Sequence, residues 1–451
     1  MQKLTTLSKH LSQALNHLSP ITRFAVASML LTVLVAANVQ QSSAQEDPLP
    51  LPEVPGFSTT DDLSPEIFDT TSTILTDPVS SPDAGAQAAA DSRNCFKAGK
   101  PAQLSWFYKP PNNYTMEKLG RKFDIFVLTK NDEDEMRYLH SQGAYPVLQY
   151  IHFDSIHDPC RQALKPKGTP CSCSKSTWNN QPAWFPKDIC DIRDNHPDWF
   201  LRGEDGQLLY WQDELIMDPG NEGWRKFFID RVSTSLPDGW DGIFIDNLAT
   251  RFGLHNGIPT KLQKYPTDKS YQDAVVGFLR TVNNQLLEPR NKLFYSNFSV
   301  VYGDTDVYLR YMEHMDGAQD EFWGWKRNEP YTARSWEERF VRAYEGLKRG
   351  KNVMMVSQGA KDDYSRQYFT YASYLLLASD KTFFRYSKDT NYGDVWMYDN
   401  YKLKLGNPLA DYKKKSNGSF VRKFENGKVK VWPGEQRAKI KVKDQQGMVC
   451  R

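Results

Sequence analysis

Short apolar runs alternate with segments of helical periodicity through the middle of the chain, between about residues 100 and 405. Unbroken apolar runs are typical of strands buried on both faces of a parallel sheet, whereas apolar residues spaced three to four apart are typical of helices. Eight strand-like segments are predicted to be strands, at residues 104–108, 123–128, 145–152, 240–246, 293–296, 316–321, 353–356 and 382–385.

The segments between these runs carry the helical spacing. In one of them Trp224, Phe227, Phe228 and Val232 recur on one face, so these side chains are expected in the core and not in a binding site. Strands that alternate with helices predict an α/β fold with parallel strands, and eight such strands predict a (β/α)8 TIM barrel. The predicted helices lie at residues 115–122, 132–142, 221–236, 270–287, 304–314, 335–349 and 363–377.

Two segments depart from this alternation. Residues 153–220 form a cysteine-rich insertion after the third strand, which is expected to shape the groove on the loop face of the barrel. Beyond residue 405 the pattern changes to a small C-terminal β segment, in which residues 419–432 are predicted to form a hairpin with Asn426 and Gly427 at its turn. The barrel is therefore assigned to residues 95–405, and the hairpin and tail to residues 406–451.

The first 44 residues have the pattern of an export signal. Basic residues without any acid precede an apolar run at about residues 24–39, and small residues follow near positions 42–44. The run is shorter than the roughly 20 residues that span a bilayer, which favours a cleaved signal peptide over the alternative, a retained membrane anchor. Residues 45–94 are rich in Pro, Ser, Thr and Asp and are predicted to be a disordered linker.

Export changes the interpretation of the charge and of the cysteines. Removing the signal takes three positive charges from the formal net charge of +2 and leaves −1, so the charge does not favour a nucleic-acid partner. An exported protein is expected in the periplasm, the cell envelope or the extracellular space, with membrane association through the N-terminal segment as the alternative. An even number of cysteines in such a protein predicts disulfides. The six cysteines are Cys95, Cys160, Cys171, Cys173, Cys190 and Cys450.

Two alternatives for the cysteines remain open at the level of sequence. Cys95 and Cys450 lie at the two ends of the folded region and are one candidate pair that would clamp the termini. The four cysteines of the insertion, together with His196, are candidate ligands of a zinc site. Their spacing contains no Cys-x2-Cys pair, so disulfides are preferred and neither a metal nor a cofactor is predicted.

Acidic residues at the ends of two predicted strands are the candidates for chemistry. The fourth strand ends at Asp246, and Asp241 lies at its other end, about 16 Å away at roughly 3.3 Å per residue. Reactive groups of a (β/α)8 barrel lie where the strands end, so Asp246 is the candidate and Asp241 is expected to be structural. The sixth strand repeats the spacing, because Glu321 follows Asp316 by the same offset; the adjacent Asp320 is the alternative inward-facing acid.

Two carboxylates on opposite sides of one bond are the arrangement used in glycoside hydrolysis. The acid of such a pair needs a raised pKa, and Trp323 and Trp325 are candidates to desolvate Glu321 and so raise its pKa. Polar and aromatic side chains at other strand ends are candidates for contacts with sugar rings. They are Trp106, Tyr108, Tyr150, His152, Asn247, Asn297, Trp323, Gln358 and Tyr386, with Asp213 and Asp218 in the insertion. For Asp218 the alternative is a cap of the next helix.

Three motifs in this chain resemble a known group of enzymes. They are Asp-Gly-Ile-Phe-Ile-Asp-Asn-Leu at 241–248, Met-Asp-Pro-Gly-Asn-Glu-Gly-Trp at 217–224 and Val-Arg-Lys-Phe-Glu-Asn-Gly-Lys-Val at 421–429. Together they resemble the TIM-barrel families named hypothetical glycosyl hydrolases and, more distantly, the α-galactosidase-type retaining glycosidases. The resemblance spans roughly residues 100–435.

The resemblance implies an activity and two roles. In the α-galactosidase-type enzymes the acid that ends strand four is the nucleophile and an acid that ends strand six is the acid/base, which here are Asp246 and Glu321. The implied reaction is cleavage of an O-glycosidic bond in a poly- or oligosaccharide with retention of configuration. The main alternative is a catalytically inactive barrel that binds polysaccharide in the cell envelope. A serine nucleophile is disfavoured because no Gly-x-Ser-x-Gly elbow is present.

Overall fold

The structure is a computed structural model that describes residues 102–159, 161, 180–211, 213–252, 261–298, 304–327, 329–388 and 392–443. The predicted signal peptide and linker lie outside these residues, as do all the cysteines except Cys190. The domain boundaries, the disulfide pairing and the alternative zinc site therefore stay predictions. Within the described ranges, no helix is both long enough and apolar enough to cross a membrane.

Eight parallel strands form the central sheet, and all eight predicted strands are confirmed. They are β1 (Ser105–Phe107), β2 (Ile125–Thr129), β3 (Val147–His152), β7 (Gly242–Asp246), β8 (Leu293–Asn297), β9 (Gly317–Asp320), β10 (Asn352–Gln358) and β11 (Thr382–Ser387). They are hydrogen-bonded in that order, and a parallel bridge between Leu104 and Phe384 brings the last strand against the first. The sheet is thereby a (β/α)8 barrel.

Within the described residues, all seven predicted helices between consecutive barrel strands are present, including the one predicted at 304–314. They are α1 (Met116–Gly120), α2 (Glu133–Ser141), α4 (Glu222–Ser235), α5 (Asp268–Val282), α6 (Thr305–Met312), α7 (Ala333–Lys348) and α8 (Tyr364–Leu375). The helix predicted at 270–287 is divided, because α5 ends at Val282 and a π-helical turn follows at Asn283–Leu287. Trp224, Phe228 and Val232 of α4 are fully buried, as predicted.

Part of the insertion after β3 is described. It contains a helix, α3 (Asp188–Asn195), that the sequence did not predict, and three short antiparallel strands. The strands are β4 (Ser155–His157), β5 (Tyr210–Trp211) and β6 (Glu214–Ile216). This small sheet matters because it places Glu214 close to the end of β3.

Three aspartates at strand entrances set the relative heights of neighbouring barrel strands. Asp124, Asp241 and Asp316 each precede a strand, and each accepts a hydrogen bond from a backbone N–H of the neighbouring strand segment, at 3.0, 2.8 and 2.8 Å. The partners of the last two are Val147 and Phe294. Asp241 is therefore structural, as predicted. Because Asp241 and Asp316 make equivalent contacts, equal offsets place Asp246 and Glu321 at similar depth.

A small antiparallel sheet follows the barrel and confirms the predicted C-terminal β segment. Its strands are β12 (Lys413–Lys414), β13 (Phe420–Phe424), β14 (Gly427–Trp432) and β15 (Arg437–Val442). The sheet packs on α7 through Phe420, whose ring lies 5.0 Å from Trp336, and on α8, where Ile440 donates its backbone N–H to the hydroxyl of Tyr368.

The predicted hairpin exists, but its turn lies one residue earlier than predicted. Phe424 pairs with Gly427, so Glu425 and Asn426 are the two turn residues. Gly427 is required for a different reason, since a Cβ at this position would lie 2.2 Å from the carbonyl oxygen of Lys441 on β15. The close approach of a third strand, and not a left-handed turn, explains the glycine.

Candidate active site

Asp246 is the last residue of β7 and lies at the rim of the barrel. Its Oδ1 accepts hydrogen bonds from the backbone N–H of Asn247 at 2.8 Å and from the side-chain amide of Asn297 at 2.9 Å. Its Oδ2 accepts a hydrogen bond from the hydroxyl of Tyr150. Asn247 adopts a left-handed backbone conformation, with φ of 61°, at the point where its N–H bonds to Asp246. Three donors therefore hold this carboxylate in one orientation.

Asn297 bridges the two candidate acids. The amide nitrogen Nδ2, at the end of β8, donates to Asp246 Oδ1 at 2.9 Å and to Glu321 Oε2 at 2.8 Å. Because both hydrogen bonds share one nitrogen, the two accepting oxygens can be at most about 5.7 Å apart. Asn297 lies on β8, between β7 and β9, and its side chain therefore limits the distance between Asp246 and Glu321.

Glu321 follows directly after β9 and faces the same space as Asp246. Its Oε1 accepts hydrogen bonds from the hydroxyl of Tyr392 and, at 3.3 Å, from the amide of Gln358. Burial and the negative charge of Asp246 raise the pKa of Glu321, while hydrogen bonds from Tyr392 and Asn297 oppose the rise. A carboxylic acid that keeps its proton beside an oriented carboxylate is suited to donate that proton.

A buried ion pair lies behind Tyr150. His152 Nε2 is 3.0 Å from the hydroxyl of Tyr150, and His152 Nδ1 is 3.4 Å from Glu214 Oε2. Burial alone would lower the pKa of His152, but the hydrogen bond and charge of Glu214 outweigh it and raise the pKa to about 9. The protonated imidazole can therefore donate to Tyr150, whose own hydrogen is directed to Asp246. A hydrogen-bonded chain runs from Glu214 to Asp246.

The two acids line a cleft of about 410 Å³, a volume in the range of small-molecule sites. The ring of Tyr108 stacks on that of Tyr150, with centroids 4.7 Å apart. Lys109 and Asn112 also border the cleft. Its aromatic side chains are Phe107, Tyr108, Tyr150 and Tyr392. The cleft therefore combines two carboxylates with aromatic faces on which a sugar ring could stack.

Several predicted site residues are placed elsewhere. Trp106 is fully buried under the guanidinium of Arg385, 4.1 Å from its ring centroid, and Trp323 is buried with its indole N–H donated to the carbonyl of Thr370. Neither lines the cleft, so Trp323 does not provide the desolvation predicted for Glu321. Trp325 packs against Phe369.

The polar candidates outside the cleft have structural partners. Asp213 contacts His157 at 2.9 Å, and Asp218 is buried and bonds to Lys264 at 2.6 Å. Tyr386 donates to the carbonyl of Ala360 at 3.3 Å. Asp320, the alternative to Glu321, bonds to Arg339 at 2.6 Å on the helix side of β9. The predicted residues that the structure brings together are Tyr108, Tyr150, His152, Asp246, Asn247, Asn297, Glu321 and Gln358.

Sequence reasoning missed Tyr392 and Glu214, each of which bonds to a site residue from outside the barrel strands. Tyr392 lies in the loop after β11, where the buried guanidinium of Arg385 donates to the carbonyl oxygens of Tyr392 and Asp394. The sequence contains no specific signal that places either Tyr392 or Glu214 at the site. Within the described residues, no group of three or more His, Cys, Asp or Glu is arranged to hold a metal ion.

The sequence profile named hypothetical glycosyl hydrolase family 15 matches residues 173–428, which is more than half of the chain. The chain belongs to this family. As a member of hypothetical glycosyl hydrolase family 15, the protein is a glycosidase, and the resemblance stated from its motifs is confirmed. No curated protein sequence matches the chain.

This chain is similar to several solved structures, including the following three. The glycoside hydrolase domain of PelA from Pseudomonas aeruginosa is 13% identical, with 65% of this chain and 96% of that chain covered and a TM-score of 0.43. Aspergillus fumigatus Ega3 in complex with galactosamine is 14% identical, with coverage of 66% and 94% and a TM-score of 0.40. Eubacterium rectale Amy13B is 9% identical, with coverage of 78% and 89% and a TM-score of 0.44. None of these similarities carries information on substrate or mechanism.

Proposed function

We propose that this member of hypothetical glycosyl hydrolase family 15 hydrolyses an O-glycosidic bond in a poly- or oligosaccharide, with Asp246 as nucleophile and Glu321 as general acid/base. The observation that carries the proposal is the amide of Asn297, which donates to both carboxyl groups at 2.9 and 2.8 Å. Both acids also line one cleft. That arrangement favours an enzyme over the alternative of an inactive polysaccharide-binding barrel.

The separation of the acids supports retention of configuration. Carboxyl groups are roughly 5 to 5.5 Å apart in retaining glycosidases and roughly 6.5 to 9.5 Å apart in inverting ones. The shared donor limits the two nearest oxygens of Asp246 and Glu321 to about 5.7 Å. The space between them therefore fits a direct attack by the carboxylate better than a water molecule activated on the far side of the sugar.

Two displacement steps follow from this geometry. In the first step, Asp246 attacks the anomeric carbon while Glu321 donates its proton to the oxygen of the leaving group. In the second step, the Glu321 carboxylate takes a proton from water, the water oxygen attacks the anomeric carbon, and the bond to Asp246 breaks. The donors Tyr150, Asn247 and Asn297 keep Asp246 oriented for both steps.

The place of action stays a proposal from the sequence. Residues 1–44 have the pattern of an export signal and residues 45–94 that of a linker, so the enzyme is proposed to act in the periplasm, the cell envelope or the extracellular space. Disulfides among the six cysteines would fit that environment. The part of the chain before residue 95 is proposed to be a leader and tether for the barrel.

The test is a panel of polysaccharides incubated with the protein and with Asp246→Asn, Glu321→Gln and Asp213→Asn. We expect the wild type and Asp213→Asn to release reducing ends, because the carboxylate of Asp213 lies outside the cleft. We expect Asp246→Asn and Glu321→Gln to release none. NMR of the first product should show the anomer of the substrate. Turnover unchanged in Asp246→Asn would remove the nucleophile assignment. Binding of polysaccharide without release of sugar would favour the inactive barrel.

A further inference from the structure

The solvent-facing side of the C-terminal sheet carries a regular array of cations. Successive side chains of a strand point to opposite faces, and β13 and β14 bury Phe420, Phe424, Val429 and Val431 on the side of the barrel helices. The alternate residues therefore face solvent, and most of them are basic. We define the basic face as Lys423, Lys428, Lys430, Arg437, Lys439 and Lys441.

The register of the sheet places these cations directly opposite one another. Lys428 pairs with Lys423 on one side and with Lys441 on the other, and Lys430 pairs with Lys439. Like charges at opposed positions of an antiparallel pair destabilise a sheet. The whole chain is nearly balanced, with 57 basic and 55 acidic residues, so composition does not account for this segregation.

Within the described residues, few of the charges of the basic face are neutralised by an acidic partner. Arg437 contacts Glu435 at 2.7 Å, whereas none of the five lysines of this face forms an ion pair within the described part of the chain. By contrast, Lys414, on the opposite side of the sheet, contacts Glu337 at 2.6 Å. The face thus keeps an unfavourable charge arrangement that an anionic ligand would relieve.

We propose that the basic face binds an acidic polysaccharide through the carboxylate or sulfate groups of the polymer. Rows of cations on an open sheet surface match an extended chain of charges better than a single small anion. All but one of these cations are lysines, which act as point charges and lack the planar fork with which arginine reads phosphate. The choice of a polysaccharide rests on the proposed function, since the same chain would then hydrolyse sugar polymers.

Trp432 lies on the same side of the sheet as the basic face, opposite Arg437, and argues against two other classes of partner. Trp432 is covered by Arg437, whose guanidinium lies 3.7 Å from the ring centroid, and by Lys430 at 4.3 Å. Single-stranded nucleic acids are held by aromatic rings that are free to stack on bases, and membrane surfaces by apolar side chains that insert among the lipids. A tryptophan covered by two cations provides neither. Its role is to hold those cations in place.

Binding at the basic face would serve the cleft by retaining substrate. A polymer held at one surface raises the effective concentration of its other segments at a second site on the same protein. We therefore expect neutralisation of the basic face to raise KM for an acidic polymer and to leave the turnover of a short oligosaccharide unchanged.

The experiment measures equilibrium binding of the full-length protein to polygalacturonate, dextran sulfate, neutral dextran, duplex DNA and vesicles containing phosphatidylserine, at low and at physiological ionic strength. One variant replaces five lysines of the basic face by glutamine: Lys423, Lys428, Lys430, Lys439 and Lys441. The control replaces the same number of exposed lysines elsewhere: Lys118, Lys122, Lys226, Lys261 and Lys402. Both variants have the same net charge, so a difference in binding between them is not an effect of net charge.

The expected result is salt-sensitive binding of at least one acidic polymer, weakened by roughly tenfold or more in the first variant and retained in the control. Equal binding by the two variants would overturn the proposal, as would failure of the wild type to bind either acidic polymer. Tighter binding of duplex DNA or of vesicles containing phosphatidylserine would overturn the choice of partner. Binding that depends on the basic face, in a protein that hydrolyses none of the polymers, would support this inference and count against the proposed hydrolysis.

Discussion

Tyr150 donates its phenolic hydrogen to Asp246 across two adjacent strands of the barrel. Tyr150 points into the barrel, where burial and the charge of Asp246 raise the pKa of its hydroxyl well above the ordinary value. The hydroxyl therefore remains protonated and acts only as a donor to the carboxylate. Behind Tyr150, the protonated His152 donates a hydrogen bond to the hydroxyl oxygen of Tyr150. The hydroxyl hydrogen of Tyr150 is therefore directed to Asp246.

Replacing Tyr150 by phenylalanine should lower kcat and change KM little. The hydrogen bond to a charged carboxylate is worth about 1.5 to 3 kcal/mol, which corresponds to roughly a 10- to 100-fold loss in rate if it is needed in the transition state. The measurement is steady-state kinetics on whichever polysaccharide the wild type cleaves. Tyr386→Phe, which removes a tyrosine hydroxyl outside the cleft, is the control. Equal kinetics in both variants would mean that Tyr150 has a packing role alone.

Replacing Asn297 by alanine should move the alkaline limit of kcat/KM to higher pH. The amide of Asn297 donates to the charged form of Glu321 and so opposes the rise in the pKa of Glu321. Without this donor, the pKa of Glu321 rises further and the acid keeps its proton to higher pH. At the same time kcat should fall, because Asp246 loses a donor as well.

The measurement is a pH profile of kcat/KM for the wild type, Asn297→Ala and a surface control, Asn195→Ala, whose amide contacts only Asp191 among the described residues. A lower kcat with an unmoved alkaline limit would show that Asn297 positions the acids without influencing the proton of Glu321. A shift to lower pH would contradict the assignment of Glu321 as the acid.

The ion pair of His152 and Glu214 should make stability depend on pH in the neutral to alkaline range. The pKa of His152 is raised from 6.5 to about 9 in the folded protein. The contribution of this histidine to stability is therefore complete below about pH 6.5 and is lost as the pH rises through about 9. Glu214→Gln removes the two largest contributions that raise the pKa of His152, so this pKa should fall and the loss of stability near pH 9 should diminish.

Urea unfolding between pH 6 and pH 9.5 measures this effect. Asp154 adds its own dependence, because burial raises its pKa to about 7, and that cost is complete near neutral pH. The comparison is therefore made above pH 7. Glu345→Gln, which removes a glutamate paired with Arg349 on the surface of α7, is the control. Parallel stability curves for the wild type and Glu214→Gln would exclude a protonated His152.

Most of the strands and one of the two acids could be predicted from sequence because both follow from burial on two faces. A strand between barrel interior and helices is an unbroken apolar run, and an acid that ends such a run must have solvent or a partner. Asp246 satisfies this rule directly. Glu321 does not, because residues 316–321 read Asp-Gly-Ala-Gln-Asp-Glu, and it was predicted from its spacing relative to Asp316. When both faces of a strand are buried, the sequence does not show which face a residue occupies. All three residues of β1 are buried, so the sequence could not show that Phe107, and not Trp106, faces the barrel interior.

Residues that reach the site from loops could not be predicted in the same way. Glu214 lies in a short strand of the insertion, and Tyr392 lies in the loop after β11. Neither segment is long or regular enough for period-two alternation or helical spacing to predict where its side chains point. Trp323 was misplaced for a related reason. It lies beyond the end of β9, where the chain has left the strand and the alternation that directs Glu321 into the cleft no longer holds.

Replacing Gly427 by alanine should destabilise the C-terminal sheet and leave the chemistry of the barrel intact. The φ angle of Gly427 is not in the left-handed region, so alanine is not excluded by backbone conformation. The added Cβ would instead lie 2.2 Å from the carbonyl oxygen of Lys441, and separating the strands to accommodate it should cost about 1 to 3 kcal/mol. Gly434→Ala is the matched control, because its Cβ would meet Ala333 at 3.6 Å, an ordinary contact. Thermal unfolding should show a lower Tm for Gly427→Ala alone. Equal Tm values would mean that β15 moves away from β14 at little cost, and that the strand contact does not explain the glycine.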